Sequence, residues 1–169
     1  YNVPMKRLVL LILVLSLSAC ATTDRDAIAS DHYKTLYTEL LNELDTASSS
    51  VYFSVEATLS ALDGARYRYD VFIDEPQIAM YDIEILVIVD DGSLVISETM
   101  MPSVGIFDEK TYHMLPYQVH PEKGFVKGFG LNGITEQSSV KLKVLVSWKD
   151  VNRIETFKQF IGIDLSVTP

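Results

Sequence analysis

Few residues of this 169-residue chain are of a type and spacing that does chemistry. Its three histidines are His32, His113 and His120. None belongs to a His-Glu-x-x-His or Cys-x-x-Cys arrangement, so no zinc signature is present. His113 and His120 flank Pro116, with Asp108, Glu109 and Glu122 close in sequence. Imidazole with carboxylate could hold a transition metal, but this spacing matches no ligand pattern, and no metal is expected. Adjacent acids occur at Asp74-Glu75, Asp90-Asp91 and Asp108-Glu109. Neighbours on a strand point to opposite faces, so neither member of such a pair can share a proton with the other. Asp90-Asp91-Gly92 lacks the alternating acids of a calcium loop and reads as a turn. No Gly-x-Ser-x-Gly elbow accompanies the serines and histidines. Gly128-Phe129-Gly130-Leu131-Asn132-Gly133 fits Gly-x-Gly-x-x-Gly in letters only, because no strand-helix-strand unit surrounds it to place a pyrophosphate at a helix N-terminus. These absences point to a non-enzyme without a cofactor. A His and an acid converging in space would revive catalysis.

Aromatic residues are the richer class, with nine tyrosines and seven phenylalanines. In the irregular segment 100–131, Tyr112, Tyr117, Phe125 and Phe129 form the candidate ligand or partner surface. Closed over a cavity, they would hold a small apolar or sugar ligand. Spread over an exposed sheet, they would meet a protein partner.

The single cysteine is committed differently. Met5 is followed by the cations Lys6 and Arg7, the aliphatic run Leu8 to Leu15, then Ser16-Leu17-Ser18-Ala19-Cys20. A positive start, a short apolar core and small residues at a cut site make a secretory signal, too short to cross a bilayer. Tyr1 to Pro4 precede it and stand outside the fold. Leu17-Ser18-Ala19-Cys20 resembles the lipobox of bacterial lipoproteins. That resemblance covers residues 5–20 and names a processing class, not a domain family. It implies diacylglycerol on the Cys20 thiol, cleavage before Cys20 and further acylation of the new amino group. It implies an envelope protein held on its membrane by lipid. Ala21, in place of the Asp associated with inner-membrane retention, favours the outer membrane, with the domain facing the periplasm or the cell surface.

Loss of the two cations Lys6 and Arg7 with the leader takes the formal charge from −9 to −11. Such acidity repels phosphate backbones, so nucleic acid is not an expected partner. The mature chain of about 150 residues suits one domain and retains no cysteine for a disulfide.

The elements that must position these residues follow from periodicity. Residues 20–27 are the lipidated cysteine and a small polar tether. Ile28, Tyr33, Leu36, Tyr37, Leu40, Leu41 and Leu44 recur at spacings of three and four, which predicts an amphipathic helix over about 28–46. From Val51 the period becomes two. Val51, Phe53, Val55, Ala57 and Leu59 alternate with polar residues, and Asp63-Gly64 turns the chain. Tyr67, Tyr69, Val71 and Ile73 then alternate with Arg68, Asp70 and Phe72. Ile83 to Val89 is almost continuously aliphatic, as for a central strand covered on both faces. Asp90-Asp91-Gly92 predicts a tight hairpin into Leu94-Val95-Ile96. The glycines of 124–133 suggest a bulge or a close backbone approach. Val140, Leu142, Val144, Val146 and Trp148 share one face of a strand opposite Lys141, Lys143, Ser147 and Lys149, with Leu145 out of phase. A last strand lies within 154–167. About seven strands after one helix predict an immunoglobulin-like antiparallel β-sandwich over 51–167, with a small β-barrel as the alternative.

Overall fold

The computed structural model describes residues 25–167. The leader, Cys20 and the tether as far as residue 24 lie outside the described residues. The helix, α1, occupies residues 25–42. Seven strands follow: β1 Ser54–Leu62, β2 Arg66–Asp74, β3 Tyr81–Val89, β4 Ser103–Val104, β5 Gly128–Thr135, β6 Ser139–Lys149 and β7 Thr156–Ser166. They form two antiparallel sheets, β1-β2-β5 and β4-β3-β6-β7. The fold is therefore a β-sandwich and not a closed barrel. First, second and fifth strands in one sheet, with third, sixth and seventh in the other, is the immunoglobulin-like arrangement. The short β4 pairs at the edge of β3 instead of joining the smaller sheet.

The inner faces meet in the main core. Tyr69, Val71 and Ile73 of β2 pack with Ile85 and Val87 of β3 and with Val140, Leu142, Val144, Val146 and Trp148 of β6. This is the period-two face of each strand turned inward. Trp148 is buried, edge-on to Phe53 and stacked on Phe157, its cross-strand neighbour. The glycines of β5 include one close approach: a Cβ on Gly133 would lie 2.1 Å from the buried Tyr69 hydroxyl.

A second core lies outside the larger sheet. Tyr33, Leu36, Tyr37, Leu40 and Leu41 of α1 pack on Leu86, Ile88 and Leu145. Hence β3 is aliphatic at successive positions and Leu145 breaks the alternation of β6: both strands carry apolar groups on two faces.

Four expectations are corrected. The helix is shifted towards the N-terminus from 28–46, taking in residues 25–27 of the predicted tether and ending before Leu44; Leu44 and Ile28, both of the predicted apolar stripe, are exposed. The first strand begins at Ser54, not Val51. Lys143 and Ser147 are buried, not solvated, because α1 covers that face of β6. No strand follows Asp90-Asp91-Gly92. The chain bends at Gly92, whose φ is 77°, but residues 94–96 form no strand, and the short β4 pairs with Ile85 and Leu86 on the edge of β3 that a hairpin would have used. The chain instead crosses onto α1, where Ser97 N–H donates to the Tyr37 hydroxyl (3.2 Å) and Met101 N–H to that of Tyr33 (2.9 Å).

Candidate functional site

The four predicted aromatic residues do not line one cavity. Tyr112 meets Phe129 edge-on with ring centroids 5.7 Å apart. Phe125 packs on His113 at 4.9 Å and edge-on to Tyr81. Tyr117 stands apart, fully exposed at a φ of 62°. It borders a cleft of about 470 Å³ together with Pro76, Leu115, Pro116, Val119 and Lys127. The segment is thus divided between internal packing and one projecting tyrosine.

The histidines also separate. His32 on α1 pairs with Glu84 at 2.9 Å. His120 pairs with its neighbour Glu122. Only His113 is buried, and it does converge with an acid, Asp82. Asp82 sits in a β-bulge: three steps along β3, from Tyr81 to Glu84, face two along β6, from Lys149 to Ser147. Its φ of 47° is a left-handed conformation uncommon outside glycine. The Asp82 amide donates to Nδ1 of His113 at 3.1 Å. The neutral ring therefore carries its proton on Nε2. Burial first, and the Arg153 guanidinium second, hold His113 below the ordinary histidine range, while the Asp82 carboxylate acts against them. That carboxylate lies 3.2 Å from Lys149 Nζ and 3.9 Å from Arg153. Arg153 also lies over the Tyr81 ring, 4.7 Å from its centroid.

Chemically, the cluster fixes charge and geometry. The acceptor nitrogen of His113 is engaged by a backbone amide, and the Asp82 carboxylate is shared between two cations. The hydrogen bond of this pair leads to the main chain, as in a structural corner, and not to a nucleophile. Beside it, a cleft of about 430 Å³ lies between α1 and the sheet, bordered by Leu36 and Ile83 as well as by His32, Asp82, Glu84 and Lys158. Its charges are also paired across the elements, Glu84 to His32 and Lys158 to Glu39. Among the described residues no group of three His, Cys, Asp or Glu side chains is placed to hold a metal ion.

The outer face of β1-β2-β5 is open among the described residues, whereas α1 packs on the outer face of the larger sheet. Across its rungs lie Glu56, Phe72 and Gly130, then Thr58, Asp70 and Asn132, then Ser60, Arg68 and Ile134. Phe72 lies against Gly130, where a Cβ would be 3.3 Å from its ring. Arg68 donates through Nε (2.9 Å) and Nη2 (2.6 Å) to Asp70. Phe72, next on this face after Asp70, and Ile134, the cross-strand neighbour of Arg68, remain 47% and 60% exposed. Sequence reading set Phe72 in the outward phase of β2 yet did not single it out; an aromatic among Arg68 and Asp70 was the available signal. Asp82 and Arg153 carried no such signal, because a bulge and a turn bring them to His113.

No protein-family model matches the chain, and no curated protein shows significant sequence similarity to it.

Proposed function

We propose that this protein is a lipid-anchored component of a bacterial cell envelope. In this reading its β-sandwich is a non-catalytic module for protein interaction and assembly. The anchor rests on the leader and lipobox at residues 5–20 and the acyl acceptor Cys20. It favours the outer membrane, with the domain in the periplasm or at the cell surface.

The interaction role rests on the bare face of β1-β2-β5. A sheet face with Phe72 and Ile134 exposed beside the Arg68-Asp70 pair has the mixed apolar and polar character of a protein interface. Photo-crosslinking residues placed at Phe72 and Ile134 in the native envelope should each yield a discrete crosslinked protein, whereas one at Leu94 should not. Identical products from all three positions, or none, would remove the support for this face.

A second reading, binding of a small apolar or sugar ligand, rests on the cleft beside Tyr117, whose volume of about 470 Å³ falls in the range of ligand sites. It is the weaker reading, because Tyr112, Phe125 and Phe129 pack among themselves and their neighbours.

A further inference from the structure

The fold sets the end of the sandwich at which the described chain enters. β3 begins, β6 ends and β7 begins at one end, where Tyr81 pairs with Lys149 and Lys149 with Thr156. The first residues of α1 lie at the same end. Arg25 is 3.8 Å from Glu109, and His32 is paired with Glu84 near the head of β3. At the other end of the helix the Leu41 carbonyl meets Lys143, opposite Ile88 near the tail of β3. The described chain therefore enters at the end formed by the loops 75–80, 105–127 and 150–155.

These loops expose apolar side chains. Ile154 is 79% exposed, Val151 66% and Val119 54%, with Ile78 and Tyr117 beside them in the same loop set. Tyr117 is held outward in a backbone conformation that tyrosine rarely adopts. Tyrosine has an apolar body and a polar tip, which suits the level of lipid headgroups. The opposite end also exposes apolar groups, Leu94 and Val95. What separates the two ends is reach. Cys20 precedes Arg25 by five residues, which span at most about 18 Å when fully extended. The nine residues of β3 alone extend about 30 Å.

We infer that the end bearing Tyr117, Val119, Val151 and Ile154 rests on the lipid surface, its apolar side chains entering the headgroup layer and the opposite end directed away. The inference depends on lipid anchoring at Cys20. The chain's negative charge makes zwitterionic lipid the fitting surface, since anionic headgroups would be repelled.

The test uses the acylated protein in phosphatidylcholine vesicles. Cys20 is the only native cysteine, so V119C, I154C, L94C and L62C each offer one free thiol for a nitroxide label. Mass spectrometry first establishes acylation of Cys20, and co-flotation establishes attachment to the vesicles. The labels at 119 and 154 should show oxygen accessibility raised and aqueous-relaxant accessibility lowered several-fold relative to those at 94 and 62. Acylated, vesicle-bound protein with all four labels equally aqueous would overturn this orientation and leave the lipoprotein reading standing. So would labels at 119 and 154 that are immobilised yet excluded from lipid, as in contact with a second protein copy. An unacylated Cys20 would overturn both.

Discussion

The ammonium of Lys143 donates to the backbone carbonyl of Leu41 at 3.0 Å, and both groups lie beneath the last turn of α1. The carbonyls of a final helical turn have no partner within the helix and carry partial negative charge. A lysine rising from the middle of β6 supplies both the hydrogen bond and the countercharge. Asp90, 3.7 Å from the same ammonium, holds it from the other side. The helix is thereby tied to β6, one of the two central strands of the larger sheet.

Lys143→Met keeps the bulk of the side chain and removes the donor. The Leu41 carbonyl then loses its partner, at a cost of about 1–3 kcal/mol. For a domain of this size the melting temperature should fall by about 2–4 °C for each kcal/mol lost. Thermal denaturation followed by circular dichroism measures this, and an unchanged midpoint would show that water replaces the lysine without loss.

Leu40 and Leu44 separate the effect of packing from that of apolar character alone. Leu40 is fully buried against the sheet, whereas Leu44 lies beyond the helix and is 92% exposed. Leu40→Ala should cost about 2–5 kcal/mol, and Leu44→Ala should stay within about 0.5 kcal/mol of the parent. Equal effects in urea denaturation would mean that α1 does not pack on β3 and β6 as described.

His113 makes stability depend on pH. Its folded-state affinity for protons is depressed, chiefly by burial and then by Arg153. The unfolded histidine titrates near about 6.5. Below that value the unfolded chain binds a proton that the folded chain resists, so stability falls with falling pH until the folded pKa is passed. The melting temperature should decline between about pH 7 and 5. His113→Asn, which can still accept from the Asp82 amide but cannot ionise, should flatten that decline. A variant with the parent's slope would assign the loss to other groups.

Cys20→Ser removes the thiol that the anchor reading requires. Metabolic labelling with a clickable fatty acid should mark the parent protein and not the variant, and the variant should leave the membrane fraction. Label retained on the serine variant would end the lipoprotein reading.

Where chemistry is local, sequence alone was sufficient. Alternation in 67–73 and 140–148 determined which side chains face the core, because side chains on a strand take opposite sides in turn. The three- and four-residue spacing from Tyr33 to Leu41 determined the buried helical stripe, and Asp63-Gly64 the first hairpin. The lipobox-like run on which the proposed anchor rests is likewise a signal carried by consecutive residues. Tertiary structure decided what depends on neighbours distant in the chain. A bend at Gly92 is local, but a strand after it must find a sheet edge, and residues 103–104, not 94–96, pair with the outer edge of β3. Lys143 reads as a surface residue until α1 covers it, because a cation can be buried only where a carbonyl and a carboxylate await it. The meeting of Asp82, His113, Lys149 and Arg153 required a bulge and two loops to converge. No spacing along the chain encodes that convergence, because it arises only when separate segments compete for the same space.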